Sequence, residues 1–418
     1  MLLKIKKIDK FTRNIIFVFV GSSLANFLNL IYQLLIAHKL APQDFAVFNS
    51  LLAIYLLLSN PLGTLQLAVA KYSSDFAAKG EPQRVKELIS RLFRKSIWLS
   101  LITFVVFIFI SFHIIDTLKI DSPFLGYILA VLLAFAWIAP VLSGALQGLE
   151  LFPWLVGSSL ISGIFKIAFT VFFIYLGFQI AGALGALLIS VILGICISIA
   201  PLRGYLFYRG PEKGFNFGKI IAYLLPTAVS SACFIWLVSF DMVLVKIFFS
   251  NEASGIYSLA QMVGKIFLFL PGTISLVMFP RTSGLNAIKS DTKSVLRKSL
   301  FYGFCMCFSA VVFYNIFPEF VLRVLTGKAI PESILLGRLF GVSMTLYALC
   351  FILINYYLSV YNLKFIKYLI ASVVIQFCAI VFFHNSLTQI QAILCLNSLL
   401  LFICLMFGTR PQIHDEKY

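Results

Sequence analysis

From Phe11 to Phe407 one apolar stretch follows another, with only short polar breaks between them. No other feature restricts the fold as tightly. A helix crosses a bilayer with roughly 20 apolar residues. Backbone groups in lipid must also be paired within the membrane structure, which leaves helices or a closed barrel. Barrel strands are short and alternate apolar with polar residues, and these runs do neither. The chain is therefore read as an all-α integral membrane protein. Reading runs against breaks gives about twelve transmembrane helices on the length criterion, near 12–36, 44–70, 93–114, 123–148, 153–177, 180–207, 219–249, 254–280, 297–322, 333–360, 364–384 and 387–408. The first run lacks a small-residue cleavage site and is expected to remain as span one.

The net charge of +17 raises the question of nucleic acid, and the placement of the basic residues answers it. They gather in the N-terminal tail, in the even-numbered loops (Lys71, Arg84, Lys86, Arg91, Arg94, Lys95, then Arg203 to Lys219, then Arg281 to Lys298, then Lys364 and Lys367) and in the C-terminal tail. The odd-numbered loops hold far fewer. Positive charge stays on the cytoplasmic side, so both termini are expected in the cytoplasm, and the basic excess reflects topology and anionic membrane lipids, with no nucleic acid as partner. The eight cysteines all fall within spans without metal-ligand spacing, as small apolar packing residues do.

Six spans precede the polar stretch RGPEKGFNFGK and six follow it, which predicts an N-terminal lobe (1–208), a cytoplasmic linker (209–219) and a C-terminal lobe (220–418). Setting the first half against the second at an offset of 208 aligns Ser22 with Ser230, Gln33 with Asp241, Asp44 with Glu252 and Ser50 with Ser258. Small slips also bring Lys71 onto Arg281, a basic pair on the cytoplasmic side and a candidate gate. An even number of spans per half gives both halves the same orientation. The two six-helix lobes would then form a parallel pseudo-twofold repeat about the membrane normal, a transporter design with its substrate site between the halves.

Within the spans, polar residues fall into stripes. Ser22, Asn26, Asn29 and Gln33 share one face of span one. Thr227, Ser230 and Asp241 share a face of span seven, and Ser254, Ser258, Gln261 and Lys265 one of span eight. These stripes are expected to line a common polar interior, although hydroxyls and amides also bond between packed helices. Ionisable residues inside a membrane mark function more strongly. Asp241 is the single acid placed within a span, and Lys166 and Lys265 lie deep in spans five and eight. Lys246 sits near the outer end and is expected to snorkel to the headgroups. Asp241 and Lys265 lie at similar depths on adjacent helices, so a salt bridge is feasible, either structural or one that a proton or sodium ion breaks. Asp241 is thus the candidate ion-coupling residue, and Lys166 and Lys265 are candidates to attract an anionic substrate.

The segments FDMVLVKIFFSNEASGIYSLAQMVGKIF and LPGTISLVMFPRTS carry an Asp, a later acid, a Gly-Ile-Tyr-Ser turn and a Pro-Arg end. Together with LLIAHKLAPQDFAVFNSL and GALQGLELF they resemble bacterial oligosaccharide flippases of the Wzx type, within the multidrug, oligosaccharidyl-lipid and polysaccharide exporter superfamily. The resemblance implies two lobes forming a V with alternating access in the bacterial cytoplasmic (inner) membrane. The implied substrate is an oligosaccharide on a polyprenyl pyrophosphate, carried to the outer leaflet for surface polysaccharide such as O-antigen. It also implies a polymerase and glycosyltransferases as partners. No cofactor is expected, only a proton or sodium gradient. Asn26, Asn29, Gln33 and Gln261 are then candidates for sugar contact, with Tyr357 in NYYLSVYN open between that role and an interfacial aromatic belt. An ion-coupled multidrug exporter is the nearest rival. A membrane-embedded glycan polymerase or ligase is the rival from the enzymes; the short outer loops and scattered histidines argue against it.

Overall fold

A computed structural model describes residues 10–208, 210, 217–269, 274, 275, 278, 279, 282, 285 and 290–408. The described residues fold into α-helices and short connections, as lipid demands of the backbone. The helices are α1 (Lys10–Lys39), α2 (Pro42–Ser59), α3 (Gly63–Ala78), α4 (Pro82–Thr117), α5 (Phe124–Phe135), α6 (Ile138–Gly148), α7 (Phe152–Tyr175), α8 (Gln179–Leu206), α9 (Phe217–Phe248), α10 (Asn251–Phe269), α11 (Lys293–Ile316), α12 (Pro318–Thr326), α13 (Pro331–Ser359), α14 (Ile366–Phe382) and α15 (Leu387–Gly408). Among the described residues eleven segments are long and apolar enough to span a membrane, with α2–α3 and α5–α6 each counted as one. The protein is a multi-pass membrane protein. The expected eighth span, 254–280, runs partly outside the described residues, as do Arg281, Pro271 and most of the linker 209–219.

Among the described residues two spans are broken, each beside a proline. Asn60, Pro61 and Leu62 separate α2 from α3, and Ala136 and Trp137 separate α5 from α6 just before Pro140. Proline lacks the amide hydrogen and crowds the preceding turn, so breaks at such points follow from sequence. Pro226 is tolerated inside α9, and Pro201 inside α8.

The chain forms two compact units, Met1–Lys39 with Leu62–Leu224, and Leu40–Pro61 with Leu225–Tyr418. This differs from an equal division at the linker by one helix: α2 belongs with the second unit. The break at Pro61 frees α2 to pack apart from α3, and the reason it packs on α10 is local. Gly255 lets α10 approach so closely that a Cβ there would lie 2.9 Å from the Pro42 carbonyl carbon. In the first unit α7 packs on α1 and α8, α4 on α5, and α3 on α6. An apolar cluster including Val69, Ile89, Val141, Leu146 and Leu202 fills the space between α3, α4, α6 and α8. In the second unit α13 packs on α10, α11 and α15. Trp98, Phe109 and Phe112 of α4 are exposed, as expected of a helix that lipid covers.

Candidate functional site

In the first unit, α1, α7 and α8 enclose a cavity of about 340 Å³. Its position follows from small residues. Gly21 brings α1 onto α7 so tightly that a Cβ there would stand 2.3 Å from a Val156 methyl. Beside this contact the walls are polar: Ser22, Asn26 and Asn29 from α1, Ser159, Ser162 and Lys166 from α7, and Ser190 from α8. Three of the four residues of the span-one stripe therefore line the cavity; Gln33, half-buried, lies beyond it. Ser22, Asn26 and Asn29 are also exposed.

Lys166 dominates this cavity. Its side chain is 7% exposed, yet among the described residues no acid pairs with it. The ammonium donates to Asn29 Oδ1 and lies 4.6 Å from the centre of the Tyr32 ring, whose own hydroxyl donates to Ala183 O at 2.9 Å. An ammonium has three donors, and the ring supplies a weak cation–π attraction rather than a countercharge. The result is a buried positive charge with donor capacity to spare, facing hydroxyls and amides. Such a site is complementary to an anion carrying hydroxyl groups.

The second unit holds a different arrangement. Asp241 on α9 is fully buried. Tyr257 Oη donates to its Oδ2 at 2.6 Å, and Gln261 Nε2 donates to Oδ1 and Oδ2 at 3.1 and 3.2 Å, both from α10. Tyr257 and Gln261 are four residues apart, one helical turn, so one face of α10 presents both donors together. Lys265, the next turn along, does not reach the carboxylate. Its Nζ donates to Asn49 Oδ1 on α2 at 3.3 Å, while its charge and that of Asp241 attract each other. The salt bridge that their depths made feasible is thus a charge pair without direct contact.

Of the stripes on spans seven and eight, Ser230, Asp241, Ser254, Ser258 and Gln261 are buried, whereas Thr227 and Lys265 are half-buried. Tyr357 is buried too, and its hydroxyl donates to Leu405 O at 2.6 Å. Lys71 is exposed on α3, with its ammonium 5.8 Å from the Tyr72 ring centre. Lys246 corrects an expectation. Instead of snorkelling it is 1% exposed, because α10 begins directly after α9 and Asn251 in its first turn accepts a hydrogen bond from the ammonium.

A polar network not anticipated from sequence lies beside Asp241. Tyr347 Oη and Asn397 Nδ2 both donate to Gln376 Oε1, at 2.7 and 3.0 Å, and Gln376 Nε2 donates to Leu237 O, one turn from Asp241, at 3.1 Å. Its signal was present as amides within largely apolar runs, Gln376 on α14 and Asn397 on α15, where an unpaired amide is costly.

The family model described as polysaccharide biosynthesis protein matches residues 11–286. Among solved structures, an inward-facing multidrug resistance MATE family transporter of the MOP superfamily superposes with a TM-score of 0.76 at 13% identity, covering 92% of this chain and 94% of that one. The lipid II flippase MurJ, in an inward closed conformation, gives 0.71 at 12% identity over 94% of this chain and 87% of that one. A MOP superfamily transporter from Pyrococcus furiosus, described by a reverse polarity of its binding pocket, gives 0.60 at 14% identity over 95% and 94%. Identities this low speak to fold alone, and the fold is that of MOP superfamily transporters. No curated protein matches the sequence.

Proposed function

The chain belongs to the polysaccharide biosynthesis protein family, and from that premise we propose that it is a flippase for an oligosaccharide carried on a polyprenyl pyrophosphate. In this reading it moves that lipid from the cytoplasmic to the outer leaflet of the cytoplasmic membrane, with both termini in the cytoplasm, for surface polysaccharide. The observation that carries the reading is Lys166: a buried ammonium that no acid among the described residues compensates, beside Asn26, Asn29 and serine hydroxyls. Phosphate or carboxylate oxygens satisfy its spare donors, and the amides and hydroxyls suit a sugar. A cationic drug would meet repulsion there.

Asp241 serves as the ion-coupling group. A buried carboxylate held by three side-chain hydrogen bonds and one nearby ammonium is balanced closely enough that a proton or a cation changes the net charge of its surroundings. The alternation of access this requires follows the MOP superfamily fold, and glycosyltransferases and a polymerase would act before and after it.

The test is reconstitution. Proteoliposomes containing a fluorescent polyprenyl-pyrophosphate oligosaccharide, with a proton or sodium gradient imposed, should show gradient-dependent appearance of the glycan on the far leaflet. Lys166→Met should abolish most of it, and Asp241→Asn should remove the gradient dependence. Export of a cationic dye with no movement of the lipid would establish a multidrug exporter instead. Full activity with unchanged ion dependence in Asp241→Asn would remove Asp241 from the mechanism.

A further inference from the structure

The helix that changes allegiance, α2, is held in the second unit at two levels. At its start, Leu40 O accepts a hydrogen bond from Lys328, and Asp44 is attracted by Lys246 and Lys328. One to two turns further on, Ser50 Oγ approaches Met242 O at 3.5 Å, and Asn49 Oδ1 accepts from Lys265 at 3.3 Å. Asn49 is 2% exposed and is the α2 side chain that receives an ammonium from this core. The first attachment runs through Lys246, five residues beyond Asp241 on α9, and through Lys328. The second hangs on the lysine whose charge Asp241 balances.

We infer that Asn49 is a positioning residue through which the charge on Asp241 governs how firmly the second unit holds α2. With Asp241 ionised, Lys265 has a carboxylate that attracts it and an amide oxygen that accepts from it. Once a proton or cation neutralises Asp241, the ammonium is left among apolar groups with only a neutral acceptor, which does not offset its desolvation. The ammonium withdraws toward water, the bond to Asn49 is lost, and α2 loosens at that level while its start stays pinned by Lys328. The other side chains acting on the carboxylate, Tyr257 and Gln261 on α10 and Tyr347 on α13, are neutral and leave Lys265 as the charged partner that responds. Because α2 continues through Asn60 to Leu62 into α3 of the first unit, a change in its hold is delivered along the chain itself.

The inference rests on Asp241 as the group an ion neutralises, but it is tested without substrate or gradient. Hydrogen–deuterium exchange is measured on the full-length protein in detergent, comparing residues 47–56 with residues 42–46 and with α11. In Asp241→Asn, exchange in 47–56 should rise about tenfold, as for the loss of one charge-assisted hydrogen bond, with 42–46 and α11 unchanged. Asn49→Leu should raise it similarly with Asp241 intact. Asn49→Asp supplies Lys265 with its own carboxylate, so adding it to Asp241→Asn should restore slow exchange, a rescue that packing alone would not give. Unchanged exchange in 47–56 of Asp241→Asn, or a rise that Asn49→Asp fails to reverse, overturns the inference. Should Asp241→Asn fail to fold, Asn49→Leu with wild-type exchange in 47–56 overturns it equally. Wild-type protein that shows the exchange pattern yet flips no lipid would defeat the flippase reading and leave this one standing.

Discussion

Lys166 and Lys265 are both lysines deep within spans, and they differ in what faces them. Lys265, itself half-buried, has the fully buried acid Asp241 within electrostatic reach and an amide oxygen at hydrogen-bond distance. Lys166 has an amide oxygen and an aromatic face but no acid among the described residues, and a cavity opens beside it. Breaking a compensated pair strands a buried charge and destabilises the fold around it. An uncompensated charge costs stability, and is retained where a ligand supplies what the protein withholds. On the proposed reading, the same residue type serves an internal switch in one unit and a binding cavity in the other.

The sharpest way to break this contrast is to remove one charge from each region. Asp241→Ala strands Lys265, Tyr257 and Gln261, and should lower stability to denaturant by about 3–5 kcal/mol, the cost of breaking a buried charge pair. Lys166→Met, measured the same way without ligand, should fall within about 1 kcal/mol of wild type, since a costly charge is exchanged for an apolar chain of similar length. Equal losses in the two variants would erase the distinction. Ligand addition sharpens it from the other side. Inorganic pyrophosphate at a hundredfold excess over its Kd should stabilise the wild type by about 2.7 kcal/mol, with no shift in thermal unfolding for Lys166→Met and a normal shift for Lys265→Met. Tyr257→Phe removes one hydrogen bond to the buried carboxylate and should cost about 1.5–3 kcal/mol, falling well below that in an Asp241→Asn background if the two groups act together. The smallest effect belongs to Ser159→Ala. Its hydroxyl is already paired with Leu155 O at 3.1 Å, so unliganded stability should move by less than about 0.5 kcal/mol, and only the pyrophosphate-induced shift should shrink.

Much of this was legible in the sequence, and for identifiable reasons. Span positions follow from run length, and the breaks in two spans from Pro61 and Pro140. Helical periodicity alone placed Asn26 and Asn29 on one face, and that face lines the cavity with Lys166. Periodicity does not say which way a face points. The stripe on α10 has the same four-three-four spacing as that on α1, yet Gln261 and Ser258 turn into packing because Tyr257, Asp241 and α2 close over them. Lys246 was misread for a related reason: distance from a helix end suggests snorkelling, but the immediate return of the chain into α10 covers that end. The hydrogen bond between Asn49 and Lys265 joins residues more than 200 positions apart, and no local pattern announces it.

The length of α4 has a consequence for the membrane around the protein. At 1.5 Å per residue the helix from Pro82 to Thr117 measures about 54 Å against a hydrocarbon layer of about 30 Å. Its apolar part, Ile97–Ile115, accounts for about 29 Å, and the turns before it carry Arg84, Lys86, Arg91, Arg94 and Lys95. This helix therefore works as a ruler: its oily shaft matches an ordinary acyl thickness, basic residues mark one end of it, and a thicker or thinner bilayer would have to deform locally or let the helix tilt.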